Sequence, residues 1–323
     1  MKSCWIITKD HKTALEFRDV PVPQPQAGEI LIQVQASAMN RGEIFAGGVV
    51  HGGPEKHGGN EASGIVHAVG EGVTGINKGD AVFGRVRGGF AKYALMRVDQ
   101  VIPKPEKLSW EQAAAVPISF ITAYEMITMY GRLKSGETLL VMGASSGAGV
   151  ASIQIGKVIG ARTIGTSGSQ QKLDKLKTIG LDVGIATRKP DFAEAVMKAT
   201  DGKGVDLIIN GVGGSVFAEC LRTLAFRGRL ATVGYVDNVF KAEIDLNAVH
   251  ANRLEIFGVS NARLPASGKA QSTAGFVRDV LPAIADGRIV PLVDRVYGFD
   301  ELPAAKDCME SSEMVGKIVI SIK

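Results

Sequence analysis

Apolar and polar residues alternate through Ile30-Leu-Ile-Gln-Val-Gln-Ala36, the period of a strand with one buried face. Ser63-Gly-Ile-Val-His-Ala-Val69 and Asp80-Ala-Val-Phe83 carry the same signal, and Gly88-Gly-Phe-Ala-Lys-Tyr-Ala-Leu95 adds one more strand. Between them, Gly70 to Gly79 supplies the glycines that a chain of tight turns needs. Pro21, Pro23 and Pro25 forbid a central strand ahead of Ile30. Short strands punctuated by Gly and Pro predict a compact, barrel-like β domain over the first 120 or so residues. Ser109 is placed to cap a helix at Trp110–Val116, and Ile118 to Tyr130 has helical periodicity.

From Thr138 the texture changes to strand, helix, strand, helix. Thr138–Met142, Arg162–Thr166, Val205–Asn210, Gly228–Gly234 and Leu254–Val259 are short apolar runs, the pattern of strands buried in a parallel sheet. Helical periodicity falls on Val150 to Ile159, Gln170 to Ile179, Ser215 to Leu224 and Thr273 to Asp286. Val290–Val296 and Val315–Ile322 return to β character. The class predicted is α/β, with a β-rich domain beside a doubly wound parallel sheet.

Chemistry enters at the turn Gly143-Ala-Ser-Ser-Gly-Ala-Gly149, between the first of these strands and its helix. Glycines allow a tight turn and close approach to a pyrophosphate, and the helix N-terminus offers N–H groups and a positive dipole end. The spacing departs from G-x-G-x-x-G, and a ligand-free loop is the plain alternative. The context favours a nucleotide. The next strand ends about 20 residues beyond the glycine turn, where this unit reads the adenosine ribose. No acid stands there. The run is Thr166-Ser-Gly-Ser-Gln-Gln-Lys172, whose hydroxyls and lysine donate to an anion where a carboxylate would repel one. Ser167, Ser169 and Lys172 therefore point to NADPH and not NADH. Ser169 also reads as the cap of the helix after it, and one serine can serve both roles.

Length and composition change the picture little. The chain has 323 residues, enough for two domains, and a net charge of +4 with its cations scattered. That leaves no electrostatic footprint for nucleic acid or a membrane surface. Three cysteines lie far apart, which excludes a disulfide framework and a cysteine-rich zinc site. Charge at Lys9-Asp-His-Lys12 comes too early for a signal peptide, and no apolar run nears the roughly 18 residues of a membrane span. A cytoplasmic protein is expected.

Together these residues resemble the medium-chain dehydrogenase/reductase superfamily, and within it the zinc-independent quinone oxidoreductase group that includes zeta-crystallin. The resemblance covers essentially the whole chain. It rests on Asn40, Gly59–Val66, Gly70–Asp80, Gly88–Tyr93, Ala113–Pro117, Thr122–Tyr124, Gly143–Gly149, Asp206–Gly214 and Val315–Val319, in that order and spacing. It implies a GroES-like catalytic domain from residues 1–122 and 293–323, and a Rossmann domain from 123–292, with the cofactor in the cleft between them. It implies cofactor contacts from Thr122, from Ser145, Ser146, Gly147, Ala148 and Gly149, and from Gly211, Val212, Gly234, Tyr235, Val259 and Ser260. Lys317 resembles a residue that reaches back to the cofactor in relatives, with an exposed edge lysine as the alternative. A small-molecule substrate and a homodimer are also implied.

Zinc-dependent relatives place a cysteine just before Asn40 and a histidine inside Gly-His-Glu. Here the segments read Ala36-Ser-Ala-Met39 and Gly59-Asn60-Glu61, and His51, His57 and His67 are poor substitutes, so no metal is expected. The resemblance places Asn40 by the nicotinamide, where an amide can donate to the oxygen that gains charge as hydride arrives. A turn residue capping the next helix is its plainer reading. Phe45 stands where many relatives carry a tyrosine. The resemblance implies hydride transfer from NADPH to a quinone or an α,β-unsaturated carbonyl. An enoyl-thioester (CoA) reductase, with Arg85 and Arg87 at its phosphates, is one alternative, and a non-catalytic NADPH-binding protein another. The loop Gly47–Gly59 is expected to shape the substrate pocket, and Tyr130 to line the cleft.

Overall fold

The alternation at Ile30–Ala36 becomes the longest strand among the described residues, Glu29–Ala38, in which Gln33 and Gln35 keep the more exposed positions while Ile30, Ile32 and Val34 are buried. The computed structural model describes residues 1–9, 12–44, 55–261 and 263–322. It packs them as two units, one of Met1–Ile121 with Ala262–Lys323 and the other of Thr122–Asn261. The segment 262–292, expected with the nucleotide unit, thus packs with the first. The reason lies on the helix Ala266–Asp279: Phe276 is fully buried, and the Thr273 hydroxyl donates to Gln100 Oε1 at 3.2 Å in a buried pair.

In the first unit, a seven-stranded sheet runs in the order Val293–Gly298, Lys317–Ser321, Glu29–Ala38, Glu61–Val69, Ala81–Arg85 and Ile102–Pro103, with Tyr93–Arg97 also paired to Glu29–Ala38. A smaller sheet joins Lys2–Lys9 to Lys12–Asp19 and Glu55–His57. The antiparallel register Val319↔Ala38 and Ser321↔Ala36 sets the start of the last strand beside the end of Glu29–Ala38. Ile6, Ile30, Ile32, Met39, Phe90 and Ile318 build the core. Ser109 makes a full capping box with Gln112 at the helix Trp110–Ala114.

The second unit holds a six-stranded, wholly parallel sheet. Its order is Val183–Ala186, Arg162–Ser167, Thr138–Met142, Val205–Asn210, Leu224–Thr232 and Glu255–Gly258, which in chain order is the doubly wound 3-2-1-4-5-6 arrangement. Leu140, Ile164, Ile208 and Leu230 form its buried interior. The helix expected at Ile118–Tyr130 is α-helical over Pro117–Tyr124 and then widens into one π turn at Glu125–Met129. All three cysteines are free and buried. Among the described residues no helix is long and apolar enough to cross a membrane.

Candidate functional site

Nearly all the residues expected at a nucleotide lie along one line, the C-terminal edge of the parallel sheet. Ser145 to Gly149 follow Thr138–Met142, Ser167 and Ser169 end Arg162–Ser167, Gly211 and Val212 follow Val205–Asn210, Gly234 and Tyr235 follow Leu224–Thr232, and Val259 and Ser260 follow Glu255–Gly258. Adjacent strand ends are bonded to one another. Ala144 N donates to Thr166 O, Val233 N to Asn210 O and Val259 N to Thr232 O, at 2.9, 3.0 and 3.0 Å. Asn210, fully buried, folds its own loop by accepting from the N–H groups of Val212 and Gly213 and donating to Gly213 O. Thr122 joins the group through its hydroxyl, which accepts from Asn261 Nδ2 at 3.1 Å.

The helix after the glycine turn is Gly147–Ile159, three residues longer at its start than periodicity predicted. Ser146 caps it, with Oγ accepting from Gly149 N at 3.1 Å. The N–H groups of Gly147 and Ala148 bond to no described residue. A Cβ on Gly149 would stand 2.6 Å from Ala144 O, so only glycine lets the helix sit this close to the strand end. This is a cradle of backbone donors and small side chains, and it fits a dinucleotide pyrophosphate. Ser169 caps Gln170–Lys177 by accepting from Lys172 N at 3.4 Å. Next along the edge, Tyr235 packs against Phe240 (ring centroids 5.1 Å apart) in the wall of a cavity of about 250 Å³ that Asn210, Gly213 and Thr232 also line.

Asn40 and Lys317 belong to the first unit, and they are bound to each other. The Lys317 ammonium donates to Met39 O (2.9 Å), Asn40 Oδ1 (2.7 Å) and Glu61 Oε1 (2.8 Å), which takes up all three of its N–H groups. Lys317 is 5 % exposed and Glu61 0 %. The alternative of an exposed edge lysine is thereby excluded, and the cofactor contact expected of Lys317 finds no N–H of this ammonium left over. The Asn40 amide is engaged at both ends. Its Nδ2 donates to Asn60 Oδ1 at 3.0 Å and to Glu61 Oε1 at 2.7 Å, so its hydrogens do not point at open space. Asn40 and Asn60 are only half-buried, and the Asn40–Asn60 bond is the longer, uncharged one. Glu61 Oε2 accepts from Ile118 N at 2.7 Å, which ties the cluster to the helix Pro117–Tyr124.

Glu43, three residues after Asn40, went unnoticed in the sequence. Its side chain is buried, with one oxygen accepting from Gly59 N at 2.6 Å and the other meeting no donor. Burial pushes its pKa up to about 7, with Lys56 and the Gly59 N–H pulling the other way. Burial, and then Glu43, push the Cys4 thiol up to about 12. His57 stacks on Trp5 and His67 faces Tyr93, at 4.0 and 4.9 Å between ring centroids. Among the described residues no group of three His, Cys, Asp or Glu is placed to hold a metal. Arg85 donates to Gln100 Oε1, Arg87 is exposed, and Tyr130 packs on Phe257. Phe45, His51 and the loop 47–54 lie outside the described residues.

The family model of the alcohol dehydrogenase GroES-like domain matches residues 26–106, and that of zinc-binding dehydrogenase matches 147–272. The chain is 31 % identical over 310 residues to a quinone oxidoreductase of Rattus norvegicus, covering 94 % of this chain and 92 % of that one. It is 30 % identical over 312 residues to a phenolphthiocerol/phthiocerol polyketide synthase of Mycobacterium tuberculosis, covering 96 % of itself but only 14 % of that much longer relative. Among solved structures, mycobacterial Rv1454c complexed with NADPH superposes with a TM-score of 0.90 at 26 % identity, covering 99 % of this chain and all of the other. CurK enoyl reductase does so at 0.83 and 25 % identity, covering 99 % of each. A GroES-like sheet followed by a 3-2-1-4-5-6 nucleotide sheet, matched end to end by quinone oxidoreductases, places the chain in the medium-chain dehydrogenase/reductase superfamily, in its quinone oxidoreductase (zeta-crystallin-like) group.

Proposed function

We propose that the chain is an NADPH-dependent reductase that passes a hydride to a quinone or an α,β-unsaturated carbonyl without a metal. The observation that carries this reading is the strand-end edge. It offers unbonded N–H groups at Gly147 and Ala148 beside a helix start that Gly149 alone permits, and hydroxyls in place of an acid at Ser167 and Ser169. NADPH bound there supplies the hydride. Thr122, Ser145, Ser146, Gly147, Ala148 and Gly149 hold its pyrophosphate side, with Gly211, Val212, Gly234, Tyr235, Val259 and Ser260 along the rest of the edge. Ser167, Ser169 and Lys172 take its adenosine end.

Asn40 is the proposed catalytic group. When a substrate oxygen gains charge, Nδ2 gives up its neutral partner Asn60 and donates to that oxygen, while Glu61 and Lys317 keep the amide in place. Lys317 is in this reading a positioning residue for Asn40. The proton follows from water. The metal-free reading is supported by the residue set, since the segment Ala36-Ser-Ala-Met39 holds no thiolate and Asn60 stands where an imidazole would be needed. A homodimer is supported by the edge strand Glu255–Gly258, which carries exposed Ile256. We place the protein in the cytoplasm.

The test is oxidation of NADPH, and of NADH in parallel, with a benzoquinone, a naphthoquinone, a short 2-alkenal and crotonyl-CoA. Turnover of quinone or alkenal with NADPH well ahead of NADH is expected. Crotonyl-CoA as the best acceptor would move the assignment to a thioester reductase, the second reading, which the likeness to CurK enoyl reductase favours. Tight NADPH binding with every acceptor inert would make the chain a binding protein.

A further inference from the structure

The ends of two neighbouring strands are locked side by side: Ser167 is the register partner of Ala186, and Thr187 N donates to Ser167 O at 2.9 Å. Arg188 comes next, and its side chain folds back across Gly168. A Cβ built on Gly168 would fall 2.2 Å from Arg188 Nε and 2.8 Å from its Cζ. The guanidinium thus occupies the space a side chain would fill, directly over the peptide that joins Ser167 to Ser169. It is exposed, and it forms no ion pair or hydrogen bond with any described residue. Asp191, on the same loop, accepts from the Thr187 hydroxyl at 2.6 Å. A planar fork of five donors is therefore seated on the backbone with no acid to neutralise it.

We propose that Arg188 is a specificity-determining residue of the cofactor site, and that its guanidinium, seated on Gly168, binds the adenosine 2′-phosphate together with the Ser167 and Ser169 hydroxyls. This rests on the NADPH reading above and deepens it. Arginine suits the task because its fork matches two phosphate oxygens at once, which a lysine cannot do. Gly168 acquires a role in the same step: it is the seat, and a methyl group there evicts the guanidinium without changing the charge of the chain.

Calorimetric titration with 2′,5′-ADP and with 5′-AMP separates the two ideas and needs no turnover. The whole chain is compared with Arg188→Ala, Arg188→Lys and Gly168→Ala. Wild type is expected to prefer 2′,5′-ADP. Arg188→Ala should lose about 10- to 100-fold for 2′,5′-ADP and hold its affinity for 5′-AMP. Arg188→Lys should recover only part of the loss, and Gly168→Ala should fall well below wild type for 2′,5′-ADP. Should the alanine variant at 188 fail to fold, Arg188→Gln takes its place with the same expectation. A wild type that prefers 2′,5′-ADP, joined to an Arg188→Ala variant with the same preference, overturns the role of Arg188 and leaves the NADPH reading standing. A Gly168→Ala variant that binds 2′,5′-ADP as wild type does overturns the seat. A wild type blind to the 2′-phosphate sinks the NADPH reading and this inference with it.

Discussion

Two polar regions of this molecule are built on opposite plans. Along the strand ends of the parallel sheet, the polar groups are backbone N–H groups and short hydroxyls, and among them the N–H groups of Gly147 and Ala148 bond to no described residue. Around Lys317 two charged side chains, Lys317 and Glu61, are held out of water and bonded to each other and to the Asn40 amide in a closed set. A surface made to receive a charged ligand leaves donors unmet, because the ligand will meet them. A cluster made to hold one amide in place meets every donor itself, because a buried unpaired charge costs several kcal/mol. Function on the first plan is bought with little stability, and on the second with much.

The sharpest way to break the contrast is to remove one partner from the closed set. Lys317→Met leaves Glu61 charged at 0 % exposure, and about 3–5 kcal/mol of unfolding free energy should disappear in a urea titration. The double variant Lys317→Met, Glu61→Leu should regain much of that loss, since a buried pair replaced by apolar groups is often neutral. Equal losses in the single and double variants would mean that the pair is not the source of the cost.

Next in size is Glu43. Its folded pKa is raised from 4.5 to about 7, so its contribution is fully present below pH 4.5 and is lost as the pH climbs to about 7. The folded state keeps the proton over that interval while the unfolded chain has released it. Unfolding free energy should therefore fall by on the order of 3 kcal/mol across this window, with Glu43→Gln flattening that component. A Glu43→Gln variant whose pH profile overlays wild type would place the raised pKa elsewhere.

The smallest effect belongs to the open edge. Ser146→Ala removes one exposed helix cap and should cost only about 1 kcal/mol of stability. A loss of the size expected for Lys317→Met would erase the difference between the two regions.

The two regions also differed in how far the sequence foretold them. The strand-end edge was legible as structure because each of its parts is local: an apolar run, a glycine turn, then a helix within a score of residues. The strand Thr138–Met142 and the strand Val205–Asn210 were read to the residue. The closed cluster could not be read that way. Asn40 and Lys317 are 277 positions apart, and only the antiparallel return of Lys317–Ser321 makes them neighbours. Glu61 stood in view within Gly59-Asn60-Glu61, an acid amid small and apolar residues, and that was the available signal. The helix expected at Thr273–Asp286 is two helices, Ala266–Asp279 and Leu281–Ala285, because Pro282 cannot donate back into a continuing helix. The strands Lys2–Lys9 and Lys12–Asp19 gave no usable alternation, since the first mixes Ser3 and Cys4 into its buried positions.

The buried thiols bear on the survival of the chain among the substrates proposed for it. Quinones and enones are soft electrophiles that add to thiolates, the form a cysteine must adopt to react. Burial pushes the Cys4 thiol up to about 12 and raises Cys220 as well, while Cys308 is buried with Arg295 donating to its sulfur at 3.4 Å. On the proposed reading, the burial of Cys4 and Cys220 keeps both sulfurs in the thiol form, which does not add to such substrates, so the packing of the core doubles as protection against self-inactivation.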